Sequence, residues 1–271
     1  MSFFNKFNET DKFNLFLGDF LVKKIGYPTR MELAKLLMKD MKENIKGYIR
    51  DDNSLFQVSQ VYLDGVVSSR SSLLKKIKNL YEASKEINEI TNIFSNDEKI
   101  NAIFSTNYDL VLDEINSNKL LKVLATDSSF PQKQEDKIRH YKILGDIAKY
   151  DKICVSIQDF RKLKVLDFYK NYFKEIKNEI NNNPTFILGL DLNDLDFIDM
   201  LEFLLEGTNK KENLFAICNS NVLKTKTIER LNNLGIKLLP HSEDEFFNEL
   251  RMFLEKNVEN EEDLLEKKIY R

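Results

Sequence analysis

The sequence predicts an α/β protein: a Rossmann-like, doubly wound, mostly parallel sheet with a helical insertion. Three observations carry that reading. Short apolar runs alternate with helix-period segments over most of the 271 residues, as in chains built of βαβ units. Several runs are nearly continuous in apolar residues, which suits central parallel strands covered on both faces. Residues 45–97, by contrast, read as helix throughout ("SLFQVSQVYLDGVV", "SSLLKKIKNLYEASKEINEI") and are too long for an ordinary crossover.

In chain order, strands are expected at Phe13–Leu17, Ala102–Ser105, Lys122–Ala125, His140–Leu144, Ile153–Ile157, Thr185–Leu188, Leu214–Cys218 and Lys237–Leu239. "TRMELAKLLMKDMKENI" opens a helix, with Thr29 as N-cap and Glu32 three residues later at capping-box spacing. "DLDFIDMLEFLLEG" places Phe197, Leu201, Leu204 and Leu205 on one helical face and stops at Gly207. "VLKTKTIERLNNLG" stops at Gly235, and "EDEFFNELRMFLEK" repeats Phe246, Phe247, Leu250, Phe253 and Leu254 at helical spacing. One domain is expected over residues 1–256, with the insertion at about 45–97, followed by a charged C-terminal tail, 257–271. That tail either frays or forms an exposed helix for a partner.

Bulk composition removes several function classes. The 41 basic and 44 acidic residues are spread along the chain and leave a formal net charge of −3, so no basic face for nucleic acid is expected. No apolar stretch reaches the ~18–20 residues of a membrane span. "MSFFNKFNETDK" lacks a basic region followed by an apolar core, so the expected location is cytoplasmic, with no membrane partner. Cys154 and Cys218 lie in short apolar runs and read as buried thiols. With His140 and His241 the only histidines, no metal site of the His/Cys kind is expected. The 8 glycines fit neither G-x-G-x-x-G nor the P-loop pattern. "DLNDLDFIDMLE" lacks the turn glycine and oxygen spacing of a calcium loop.

Ligands of open α/β sheets bind outside the C-terminal ends of the strands. The candidate ends are Gly18-Asp19-Phe20, Thr106-Asn107-Tyr108-Asp109, Leu144-Gly145-Asp146, the segment "CVSIQDFRKL", and Gly189 to Asp196 with Asp191, Asn193 and Asp194. In this order, together with Gly26-Tyr27-Pro28 and Leu33, they resemble the sirtuin-like domains of bacterial antiviral defence proteins. Those domains carry F-x-G-A-G-x-S, G-x-P-x-W-x-x-L-L, T-T-N-Y-D, L-H-G-[DS] and G-[YF]-S-x-x-D-x-[DN] boxes. The resemblance spans residues 13–240, and the helical insertion falls where the family carries its small domain.

The resemblance implies an NAD-binding fold and, in active members, cleavage of the nicotinamide–ribose bond. By position it assigns cofactor contacts to Gly18, Asp19, Phe20, Thr106, Asn107, Asp109, Gly145, Gly189 and Asp191, and leaves Asn107 as the candidate catalytic residue. Two departures fall on the chemistry. Asp19 and Phe20 stand where small residues let backbone approach a pyrophosphate, and Val22 replaces the serine of that box. A carboxylate within ~4–6 Å of a pyrophosphate is repelled by several RT, and Phe20 is expected to fill ligand space. Leu144 stands where the family has its histidine and can neither move a proton nor hold a ribose hydroxyl. The expectation is therefore a degenerate sirtuin-like pseudoenzyme with no bound NAD or ADP-ribose. It would be a structural or regulatory subunit, homo- or hetero-oligomeric, of an antiviral-defence or toxin-like assembly. The alternatives are an NAD hydrolase using Asn107, with Asp19 or Asp146 as base, and a nucleotide or ADP-ribose sensing module. Plainer readings stand beside these. Thr106 and Asn107 cap a helix starting near Tyr108, Asp191, Asp194 and Asp196 favour a helix N-terminus, Asp146 is a turn residue, and His140 is an ordinary strand histidine.

Overall fold

The structure, a computed structural model, describes residues 12–51, 53–65, 69–81, 99–127, 131, 134, 136–208 and 213–254. The expected C-terminal tail and the end of the helical insertion lie outside the described residues. The elements run β1 (Phe13–Leu17), α1 (Phe20–Ile25), α2 (Arg30–Lys39), α3 (Glu43–Lys46), α4 (Leu55–Gly65), α5 (Arg70–Tyr81), β2 (Ile100–Ser105), α6 (Val111–Ile115) and β3 (Leu120–Leu124). They continue with β4 (Ile138–Lys142), α7 (Ile157–Val165), α8 (Lys170–Asn182), β5 (Thr185–Leu188), α9 (Leu195–Leu205), β6 (Leu214–Ile217), α10 (Thr225–Asn233) and β7 (Ile236–Leu239). A last helix, α11, covers residues 243–254.

The strands form one 7-stranded sheet in the order β3-β4-β2-β1-β5-β6-β7, parallel throughout. From β1 the chain places β2 beside it, sets β3 at the far edge and fills β4 between them, then crosses to the other side of β1 with β5 and builds outward through β6 to β7. The reversal lies at β1, which puts the expected ligand crevice outside the C-terminal ends of β1 and its neighbours.

Both faces of the sheet are covered, and that explains the continuous apolar strands. Phe16, Phe104 and Tyr141 face a large core shared with α2, α4, α5 and the helices α7 to α9. Leu15, Leu17, Ile103 and Phe186 face a second core closed by α11 through Phe246, Phe247, Leu250 and Leu254. Full burial of such side chains contributes about 1.5–3 kcal/mol each, so packing holds α11 in place more than helix propensity does. Its start is fixed by a capping box, with Glu245 N–H donating to Ser242 Oγ and Ser242 N–H to Glu245 Oε2. The box predicted at Thr29 and Glu32 opens α2 in the same way.

One strand expectation is corrected. Ile153–Ile157 is a buried connection running into α7 and pairs with no strand. Its backbone donors are taken elsewhere: Cys154 N–H by Leu144 O at 2.9 Å, and Val155 and Ser156 N–H by the Asp159 carboxylate, both at 3.1 Å. Ser156 and Asp159 form the capping box of α7, so helix initiation wins over strand pairing. The β3 and β4 boundaries fall about two residues earlier than expected, a drift common at element ends.

Candidate functional site

The end of β1 turns directly against the end of β5. Gly18 N–H donates to Leu188 O at 2.8 Å, and Asp19 N–H to Gly189 O at 2.7 Å. The β1–β5 ladder therefore continues past both strands into the turn. A Cβ on Gly18 would collide with the Gly189 carbonyl, whose carbon lies 2.6 Å from that position. Gly189 itself has φ +76°, and a Cβ there would meet Phe20 Cβ and N at 2.5 Å. The two glycines thus let two backbones touch. Two amides of the turn, those of Gly18 and Asp19, are thereby bonded to protein.

Asp19 directs its carboxylate toward α2 and accepts from Arg30 N–H at 2.9 Å. Burial raises its pKa to about 6, against the pull of the Arg30 amide and charge. The expectation that Phe20 fills ligand space is revised. The residue borders the crevice, but its ring packs on Phe247 at 5.4 Å under the Lys24 ammonium, in the second core. Beside the turn lies a cleft of about 360 Å³ walled by Asp19, Glu32, Asp191, Asp194 and Glu243, with Lys23, Lys35 and the buried Arg30.

Arg30 organises the floor of this region. Its guanidinium pairs with Asp196 at 3.1 Å, donates to Tyr108 OH at 3.2 Å, and stacks over Phe56 and Phe197. Asp196 also accepts from Ser54 Oγ at 2.7 Å and Phe56 N–H at 2.9 Å. The pair thereby ties α2, the insertion and α9 together. Burial pushes the Arg30 guanidinium down, but the oxygens of Tyr108 and Asp196 outweigh it and hold the group above its ordinary range. Burial pushes Asp196 and Asp194 up, and for Asp194 the neighbouring Asp196 charge adds to it. Asp194 caps α9 by accepting from Asp196 N–H, and Asp191 makes an Asx turn with Asn193 N–H. The helix-terminus reading holds for Asp194, the N-cap of α9, and for Asp196 in its first turn, which is in addition the ion-pair anchor of Arg30.

Behind the turn, Asn107 Nδ2 donates to Gly18 O at 2.6 Å, while its Oδ1 is buried without a partner among the described residues. It does not cap a helix. α6 begins at Val111, whose N–H is taken by Asp109 Oδ1, and Thr106 Oγ1 is likewise without a partner among the described residues. Asn107 instead lines a small cavity, about 10 Å³, shared with Ser105, Asp109, His140 and Lys142. His140 is a buried histidine of β4 with both ring nitrogens engaged: Ser105 Oγ lies 2.8 Å from its Nε2 and Asp113 Oδ1 lies 2.8 Å from its Nδ1. Burial raises the Asp113 carboxyl, but His140, Lys142 and Lys122 outweigh it and bring the group below its ordinary range. Lys142 Nζ donates to Asp109 O at 2.6 Å.

Leu144 is a core residue, 2 % exposed, and the turn at Gly145 leads to Asp146, which caps the 3-10 helix Ile147–Lys152 and pairs with Lys122 at 2.8 Å. Ile147 N–H bonds Tyr108 O, so this turn abuts the Asn107 box. The strand ends named from sequence therefore converge, but they divide between an open acidic cleft at β1 and β5 and a small cavity at β1, β2 and β4 that mixes polar and apolar side chains. Arg30 and Asp113 are not legible as site residues in the sequence, and Ser105 is legible there only as the first residue of the match to the T-T-N-Y-D box. For Arg30 the available signal is a lone arginine at the first position of a capping-boxed helix. For Asp113, and for the pairing of Ser105 with His140, there is none without the β2–β4 register.

A parallel sheet that reverses at its first strand, with a Thr-Asn-Tyr-Asp box folded onto the reversal point, defines a Rossmann-like α/β protein. More narrowly, residues 101–239, just over half of the chain and running from β2 through β7, match the SIR2-like domain family. The chain belongs to that family. Among the described residues no helix is long and apolar enough to cross a membrane, and no group of three or more His, Cys, Asp or Glu could hold a metal.

Proposed function

We propose that this SIR2-like protein has lost NAD cleavage and serves as a structural or regulatory subunit. The observation that carries the reading is the amide ladder joining Gly18 and Asp19 to Leu188 and Gly189. A pyrophosphate needs free backbone donors at that turn, and two of them, the Gly18 and Asp19 amides, are bonded to Leu188 O and Gly189 O. The flanking cleft carries more carboxylates than cations, Asp19 foremost, so an anionic ligand meets repulsion. The family's histidine position holds Leu144, packed in the core. The residues present do not fit the diphosphate of NAD or ADP-ribose, and no such cofactor is expected to be held. Assembly with itself or another protein, in an antiviral-defence or toxin-like system, rests on the resemblance of the ordered motifs.

Incubation of the purified chain with NAD, following nicotinamide release, tests the reading. No turnover is expected, alone or with a candidate partner. Turnover that Asn107→Ala abolishes would establish instead the second reading, an NAD hydrolase, which the unpartnered Asn107 Oδ1 favours. A nucleotide-sensing module is the third reading, supported by the size of the cleft, and calorimetry with Asp19→Ala tests it.

A further inference from the structure

We propose that Ser105, His140 and Asp113 form a buried nucleophile relay that hydrolyses a short-chain carboxylic ester. This goes beyond the function proposed above and does not depend on it. The contacts run in the order such chemistry needs: hydroxyl to Nε2 at 2.8 Å, and Nδ1 to carboxylate at 2.8 Å. With Nδ1–H donating to Asp113, Nε2 is left to accept the Ser105 proton. The sheet builds this arrangement. β2 lies beside β4 with Ile103 opposite His140 and Ser105 opposite Lys142, so Ser105 and His140 share a face. Asp113 reaches them from α6.

Two further groups complete the site. The Lys142 ammonium lines the same cavity, where its charge favours a developing oxyanion. Asn107 Oδ1, more than nine-tenths buried and without a partner among the described residues, also lines it and offers an acceptor for an attacking water. The cavity, about 10 Å³, matches roughly one water, so the acyl group is small and entry requires local opening. Part of the roof is Leu21 and Ile25 of α1, a helix of 6 residues without a side-chain cap at its start.

In the first step the Ser105 proton passes to His140 Nε2, Oγ bonds to the acyl carbon, and the ester C–O bond breaks. The leaving alcohol takes the proton from His140. In the second step water attacks the acyl-serine, gives its proton to His140, and the carboxylic acid departs as Ser105 recovers that proton. Ester and water become acid and alcohol. Ser105 and His140 are the catalytic residues, and Asp113 is a positioning residue.

The test exposes the folded chain to methanesulfonyl fluoride, a serine reagent with a single methyl group, and maps adducts by peptide mass spectrometry. The expected result is a methanesulfonyl group on Ser105 with loss of fluoride, and none in Ser105→Ala. Loss of a general base lowers rates by about 10²–10⁴-fold, so His140→Gln should label at least ~100-fold more slowly. Asp113→Asn should slow labelling by ~10-fold or more, and Asp113→Glu should recover part of it, with thermal melts verifying the fold of each variant. If His140→Gln does not fold, the Asp113 pair decides. Absence of a Ser105 adduct on the folded protein, or an unchanged rate in Asp113→Asn, would overturn the proposal. Nicotinamide release reads a different reaction, so either proposal can fail alone.

Discussion

Replacing Gly18 with alanine places a methyl group where the Gly189 carbonyl sits. The Gly189 carbon and Leu190 Cδ2 both lie 2.6 Å from the new Cβ position, nearer than real Cβ contacts come. Leu190 can swing aside at its flexible end. The carbonyl cannot, because it belongs to backbone that accepts the Asp19 amide at 2.7 Å. Relief therefore requires the β1 and β5 ends to part. Overpacking of this kind costs about 1–3 kcal/mol, and each of the two hydrogen bonds lost adds about 0.5–1.5 kcal/mol, so Gly18→Ala should destabilise by about 2–6 kcal/mol. Gly189→Ala should cost at least as much, since a left-handed residue other than glycine adds about 1–2 kcal/mol to its collision with Phe20. Because both substitutions break one contact, the double variant should lose less than the sum of the two. Urea unfolding followed by circular dichroism measures all three. A Gly18→Ala unfolding free energy within about 0.5 kcal/mol of the parent would refute the reasoning.

Asp19→Asn tests the buried carboxyl. Its folded pKa of about 6 exceeds the ordinary 3.8, so the folded state keeps a proton that the unfolded chain has lost. Stability then falls as pH rises from about 4 through 6. At about 1.4 kcal/mol per unit over the roughly two units between 3.8 and 6, the neutral amide should gain up to about 3 kcal/mol at pH 7.5 and nothing near pH 4; equal effects at both would contradict the assignment. Asp196→Ala strands the Arg30 cation and removes the acceptor of Ser54 and Phe56. Loss of one partner from a buried pair costs about 3–5 kcal/mol, and hydrogen exchange should show α4 loosening first. A loss below about 1 kcal/mol would mean that the pair is solvent-screened.

Much of this architecture is legible in the sequence because burial on both faces writes itself as continuous apolar runs, as in "FNLFL" of β1. The same signal misleads at Ile153–Ile157, where an apolar run is buried without pairing because Ser156 and Asp159 start a helix. The motif ends are legible and do converge. What links them is not. Phe20 faces α11 or the crevice according to the rotation of α1, which periodicity over 6 residues does not fix. Arg30 and Asp196 meet only once the insertion folds back onto α9. The Ser105–His140 contact needs β2 and β4 to be neighbours with β3 outside them, an order the chain sequence does not state.

The most direct measurement is titration of the purified protein with ADP-ribose in a calorimeter. With the Gly18 and Asp19 amides bonded to β5, no binding heat is expected up to about 1 mM ligand, above −4.1 kcal/mol of affinity. Micromolar binding that vanishes in both Gly18→Ala and Asn107→Ala would contradict it and show that the crevice still holds a diphosphate.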